Sequence, residues 1–381
     1  MIRNNSQVIL YFYSIFLILF LSLTNQYFDY QESIIFGGAD GEYYINISKS
    51  FPGLAESEMM PIHAERFFFY YIFGFFSKLL NIEVYYVYRF FVFIILGLVN
   101  IFLILICKSK NLDLRLSLII LSLINLNPYI SRLNIAVPTV VNDLIFIFGL
   151  TLFLYSLESR KTKILITSLI ILFFARQTSI AIIISLIFTK FVYRENFFFN
   201  NKKIFLIILG FFFIYFINYQ YSSHVFNDPS YRWEQYSPEM RLFGFFLQDV
   251  AIEQKLLFLT LPFLSFFPLF LYIFIFRKVK KITFSLPEDP KIFFYLFICL
   301  LIVLQPILSG FLVTGRNIIR LTTLAYIPII FLLVNASVFI ELKNKVINVF
   351  FYFFVVTWSF HPTFSNIKFF KYLSKGLKSF F

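Results

Sequence analysis

Charge is scarce in this chain. Only 14% of its 381 residues are Asp, Glu, Lys or Arg, while 60% are hydrophobic. A soluble globular domain carries roughly a quarter charged residues, so that class is excluded. Cysteine is nearly absent. Cys107 and Cys299 sit in or at the edge of apolar runs far apart in sequence, so neither a disulfide nor a cysteine metal site is expected. The three histidines, His63, His224 and His361, have no metal-ligand spacing. No glycine-rich phosphate loop is present, which argues against an ATP-driven pump. The apolar runs do not alternate with polar residues, which excludes an outer-membrane barrel.

What the chain has is length without polarity. The clearest apolar runs cover 8–23, 85–107, 204–219, 256–276, 292–313 and 321–340. They approach or exceed the roughly 18–20 residues that cross a bilayer as a helix. The expected fold is all-α, a polytopic integral-membrane helical bundle forming one domain over 1–381. Run 8–23 has no small-residue cleavage site and is followed by Asn25-Gln26-Tyr27-Phe28, so it reads as an uncleaved first helix. The 59 phenylalanines read as a compositional bias towards AT-rich coding, not as an aromatic binding device.

Basic residues give the orientation. Lys and Arg concentrate in cytoplasmic loops. Lys108, Lys110 and Arg115, then Arg160, Lys161 and Lys163, then Arg194, Lys202 and Lys203 lie between runs. Arg277, Lys278, Lys280, Lys281, Lys343 and Lys345 follow. With all of these inside, the chain makes about eleven spans from a cytoplasmic N-terminus. The +13 net charge then reflects membrane orientation and not nucleic-acid binding. The expected layout is a first helix at 8–24, an outer loop at 25–84, further spans over 85–360 and an amphipathic tail at 361–381. Within the loop, 66–80 is too short and too basic at its ends to cross comfortably, and reads as a helix lying in the outer interface. In the tail, Lys368, Lys371, Lys375 and Lys378 alternate with Phe and Leu at helical spacing. Eleven spans place that tail outside, against the charge rule. Either one span is miscounted, or 346–360 does not cross.

The outer segments carry arginine where the inner loops carry lysine. Arginine's planar fork suits phosphate, so Arg66, Arg89, Arg132, Arg176, Arg232, Arg241, Arg316 and Arg320 suggest an anionic ligand outside. The first outer loop also holds Asp40 and Glu42 among Gly37, Gly38 and Gly41, which reads as a tight turn presenting Asp40. A carboxylate at the mouth of a helical bundle can act as a general base.

The order of these features resembles the N-terminal module of the GT-C superfamily of polytopic glycosyltransferases. Asp40-Gly41-Glu42-Tyr43-Tyr44 follows the first helix, His63-Ala64-Glu65-Arg66 opens the short helix, and Arg89 stands near the outer end of the next span. Asn142-Asp143 opens a later span, and Phe174-Ala175-Arg176-Gln177-Thr178 separates two short helices. The resemblance covers roughly residues 8–190. It departs from the family where an Asp-Glu pair is split by Gly41, and where Lys-Pro-Pro is replaced by Glu65-Arg66-Phe67. It implies transfer of a sugar from a polyprenyl-phosphate donor to a glycan, lipid or protein hydroxyl on the outer face of the cytoplasmic membrane. Asp40, Glu42 and Asp143 would be catalytic. Tyr43, Tyr44, His63, Glu65, Arg66, Arg89, Arg176, Arg232, Arg316 and Arg320 would bind substrate. No cofactor is certain, and a divalent cation is left open. The competing expectations are a secondary transporter or flippase of lipid-linked saccharides, and an O-antigen polymerase or ligase-like protein whose arginines lie in 222–254.

Overall fold

The computed structural model describes residues 4–25, 38–55, 61–194, 199–225, 238–275, 289–314, 317–335 and 345–360. Every regular element among them is helical. In chain order they are α1 (Asn4–Asn25), α2 (Gly38–Ser50), α3 (Pro61–Ala64), α4 (Phe67–Leu80), α5 (Val84–Ser109), α6 (Leu114–Asn125), α7 (Leu133–Ala136), α8 (Asn142–Ser159) and α9 (Thr162–Ala175). Then come α10 (Ile180–Tyr193), α11 (Asn201–Val225), α12 (Pro238–Leu247), α13 (Ile252–Ile275), α14 (Pro290–Thr314), α15 (Ile318–Thr323), α16 (Tyr326–Asn335) and α17 (Lys345–Trp358).

Among the described residues six helices are long and apolar enough to cross a membrane, or up to eight if two bent pairs each count as one span. Four of the six apolar runs read from the sequence lie within α1, α5, α11 and α14, while 256–276 falls on α13 as far as Ile275 and 321–340 on α15–α16 as far as Asn335. Large apolar side chains on α1, α11 and other helices face outwards, including Phe12, Phe16, Phe205, Phe212 and Phe213. In water such a surface would aggregate. In lipid it is solvated.

The helices run alternately between two ends, and side-chain contacts fix which ends meet. Lys108 near the end of α5 donates to Gln7 near the start of α1, at 3.2 Å. At the opposite end Arg132 donates to Thr24 at 2.9 Å and to Asn25 at 3.2 Å. Lys110, just past α5, meets Glu158 at the end of α8 and Asn335 at the end of α16. The start of α8 is therefore at the end where α1 finishes.

Local signals start several elements. Asp113 caps α6 by accepting from the Leu116 N–H at 2.8 Å, and Asn127 accepts from Tyr129 N–H at 3.0 Å with Pro128 next in line. The segment from Asn127 to Val141 links α6 to α8 as a buried chain of short turns: a π-turn at Pro128–Arg132, then α7, then a 3-10 turn at Pro138–Val140. The bend of 50° between α6 and this segment places the turns inside the bundle.

One expectation fails at α2. The glycine-rich stretch is a helix and not a turn around Asp40. Gly41, Tyr44, Ile47 and Ser48 are buried while Glu42, Asn46 and Lys49 are exposed, the spacing of one helical face. The glycines serve close packing. A Cβ on Gly41 would stand 2.9 Å from Thr139 Oγ1, and one on Gly74 of α4 would stand 2.0 Å from the Ser48 carbonyl oxygen. α4 itself falls where a short helix was expected, with Tyr70, Phe73 and Gly74 buried and Phe75, Leu79 and Leu80 exposed.

Candidate functional site

The end of the bundle where α1 finishes gathers charge from elements far apart in sequence. Asp143 lies in the first turn of α8, where the helix dipole favours a carboxylate. Arg176 breaks the chain between α9 and the 3-10 turn Gln177–Ser179 with extended backbone, and its guanidinium forms an ion pair with Asp143 Oδ1. Arg320, on α15, brings Nε to 3.2 Å from Asp143 Oδ2, close but off the hydrogen-bonding direction for that nitrogen. All three side chains are less than a tenth exposed.

Arg66 extends the cluster. Its Nη1 donates to Tyr44 Oη at 2.9 Å and its Nε to Gln177 Oε1 at 3.3 Å. Gln177 Nε2 in turn donates to Glu65 Oε2 at 2.7 Å. Tyr44 Oη is 3.0 Å from His63 Nδ1, and Tyr43 stacks on the His63 ring with centroids 5.3 Å apart. Asn142 Nδ2 donates to the Arg66 carbonyl at 3.4 Å, which joins this group to the start of α8. Burial first, and after it the like charges of Arg66 and Arg320, hold the Arg176 pKa well below the usual arginine range. The three guanidiniums thus share one electrostatic neighbourhood with two buried carboxylates, Asp143 and Glu65.

Aromatic side chains set the backbone under this cluster. Tyr70 stacks on Tyr44 at 4.3 Å and donates to the Thr139 carbonyl at 2.8 Å. Tyr88 donates to the Tyr44 carbonyl at 2.9 Å and lies 2.5 Å from Ser48 Oγ. These contacts lock α2 against α4, α5 and the Thr139 turn. The first turn of α2, which carries Asp40, is fixed beside Thr139 through Gly41.

The expected site residues therefore divide. Tyr43, Tyr44, His63, Glu65, Arg66, Asp143, Arg176 and Arg320 come together. Glu42 and Arg89 do not, because each is exposed on its helix. Arg320 is a buried helical residue. Arg132 is also buried, in a seat of its own built from Thr24, Asn25, Ser359 and the Phe360 ring, 4.1 Å from its guanidinium carbon. Arg232 and Arg316 lie outside the described residues, as do the side chains of Asp40 and Arg241. Among the described residues no group of three or more His, Cys, Asp or Glu could hold a metal ion. Cys107 and Cys299 are free and buried.

A second charged group, unforeseen in the sequence, occupies the other end. Glu158 accepts from Tyr295 at 3.1 Å and pairs with Lys110 at 2.9 Å and Lys291 at 3.4 Å. Its members stand at helix ends that only folding brings together.

No protein-family model, curated protein or solved structure matches the chain.

Proposed function

We propose that this chain is a multi-pass membrane glycosyltransferase of the GT-C type. It moves a sugar from a polyprenyl-phosphate donor to an acceptor hydroxyl at the outer face of the cytoplasmic membrane, a step of cell-envelope polysaccharide synthesis. The observation that carries this reading is the buried meeting of Asp143 with Arg176 and Arg320, with Arg66 beside them. Buried cations are costly, so such residues in an apolar bundle mark functional sites, and the planar fork of a guanidinium fits phosphate.

A carboxylate facing two guanidiniums is a poor base, because both favour its ionised form. Asp143 therefore positions Arg176 and Arg320, and in this reading Asp40 takes the proton from the acceptor hydroxyl, the role that the family resemblance implies for it. As the acceptor oxygen bonds to the anomeric carbon, the carbon–oxygen bond to phosphate breaks and polyprenyl phosphate leaves. The arginines stabilise the charge growing on that phosphate, an interaction strongest in the transition state. Tyr43, Tyr44 and His63 bind substrate in this reading, as the resemblance implies.

The alternating helix directions support about eleven passes in this reading. α9, α10 and α17 have 14 residues each, roughly 21 Å of helix against a hydrocarbon core of about 30 Å. They cross only where the protein thins or covers the bilayer around them.

The test is transfer by the full chain reconstituted in vesicles, with undecaprenyl-phosphate mannose or aminoarabinose as donor and release of undecaprenyl phosphate as readout. Asp40→Asn should lower the rate by at least a hundredfold. An unchanged rate in that variant removes the catalytic assignment.

A flippase or transporter of lipid-linked saccharides is the second reading. The observation in its favour is the pair of bent helices, at 50° and 60°, since transporters bind substrate at broken helices. It predicts movement of labelled donor across the vesicle membrane without bond cleavage, and indifference to Asp40→Asn.

A further inference from the structure

α9 and α11, which pack against each other, both begin at the end opposite the arginine cluster. Both finish at that cluster: α9 at Arg176, and α11 where Tyr221 stacks on Phe67 at 4.0 Å, next to Arg66. They are therefore parallel. Phe173 and Phe211 touch with centroids 5.2 Å apart and stand at nearly equal distances along their helices. The first turns consequently lie at the same height, to within about 2 Å.

Those first turns are basic. Lys161 and Lys163 start α9 just after Arg160, and Lys202 and Lys203 start α11. All five are exposed, neither helix has an acid in its first turn, and among the described residues no carboxylate pairs with any of them. The only acid in the link leading to α11 is Glu195, against Arg194, Lys202 and Lys203.

A second feature lies on the same two helices. One to three turns further along, the exposed side chains are apolar apart from Thr167: Ile166 and Ile170 on α9, Phe205, Leu206, Leu209 and Phe212 on α11. A cluster of cations followed along the helix axis by an open apolar stripe matches an amphiphile with an anionic head and hydrocarbon tails. A nucleic acid or a free phosphate would use the cations and leave the stripe without a partner.

We propose that the paired starts of α9 and α11 form a binding surface for an anionic phospholipid of the inner leaflet. Its head lies on Lys161, Lys163, Lys202 and Lys203, and its chains lie along the stripe. This rests on the membrane placement given above and is independent of sugar transfer. The same two helices hold Arg176 and the Tyr221 contact at their far ends.

The experiment uses the full chain in an uncharged detergent, with phosphatidylglycerol, phosphatidylcholine and inorganic phosphate titrated separately and binding read by native mass spectrometry. Each lysine near an anionic surface contributes roughly fivefold, so phosphatidylglycerol should bind at least tenfold more tightly than phosphatidylcholine. The Lys161→Gln, Lys163→Gln, Lys202→Gln, Lys203→Gln variant should bind the two lipids equally, while Lys49→Gln, exposed on α2 at the opposite end, keeps the preference. Raising salt to 1 M should weaken the preference by screening. Equal binding of both lipids by the unaltered chain overturns the proposal, as does a preference that survives the fourfold substitution. Displacement of phosphatidylglycerol by millimolar phosphate identifies a free-anion site and equally overturns it. Flotation with neutral phosphatidylcholine vesicles tests the membrane placement alone. A chain that floats yet shows no lipid preference refutes the lipid surface and leaves the placement intact.

Discussion

Asp143 and its two arginines are individually expensive in a buried site and tolerable only together. Removing one member leaves an uncompensated charge, at a cost of about 3–5 kcal/mol for a fully buried pair. Asp143→Asn should therefore lower thermal stability in detergent by several degrees, and Asp143→Leu with Arg320→Leu should recover part of the loss. Unchanged melting of Asp143→Asn would show that the pairs carry little weight. In the proposed sugar transfer, Arg176→Ala should cost about a hundredfold to a thousandfold in rate, the usual effect of deleting one donor to a developing oxyanion. Arg176→Lys should restore only part of it, because an ammonium lacks the planar fork. These residues were visible in the sequence as basic and acidic positions in an apolar chain. Their pairing was not, because nothing local to Asp143 specifies Arg176 or Arg320.

Between elements, glycine decides how closely helices approach. Gly74→Ala would drive a methyl group against the Ser48 carbonyl, so α2 and α4 must separate. The expected loss is about 1–3 kcal/mol, with looser contacts around Tyr44. Gly97 in α5 has open space where a Cβ would point. Gly97→Ala should instead leave stability unchanged or raise it by about 0.5–1 kcal/mol, the helix-propensity difference. Melting temperatures of the two variants, measured side by side, check the contrast. Gly310 in α14 is different again, with φ of +75° and its Cβ position 2.6 Å from the Phe245 amide nitrogen. Side chains other than glycine rarely occupy that conformation. The helix at 38–50 was misread as a turn for a related reason: Gly and Asp disfavour helix locally. The buried face of Gly41, Tyr44, Ile47 and Ser48 outweighs that preference only when α4 is present to cover it.

Across the whole molecule, α8 carries a carboxylate at each end, and each is held by two cations. Asp143 sits among arginines, Glu158 between Lys110 and Lys291. The Glu158 group ties α5, α8, α14 and α16 together. Single Gln substitutions at Glu158 and Lys110 should each destabilise, and the double variant should lose less than their sum, with a coupling of about 0.5–3 kcal/mol. Additive losses would show no shared network. Orientation has its own check. Single cysteines replacing Glu42 and Lys108, both exposed, should label from opposite sides of the membrane, with little background because Cys107 and Cys299 are buried.

The all-α character, the long apolar helices, the short helix before α5 and the break at Arg176 were determined by the sequence alone. They depend on composition and on apolar spacing over a few turns, which a linear chain displays directly. Only the tertiary structure decided that Asp143 meets Arg176 and Arg320, that Arg132 has a separate seat, that Glu42 and Arg89 face outwards, and that Glu158 binds two lysines. Such pairings join residues distant along the chain. Their energies depend on burial and on directions set by helix packing, quantities that no local stretch of sequence contains.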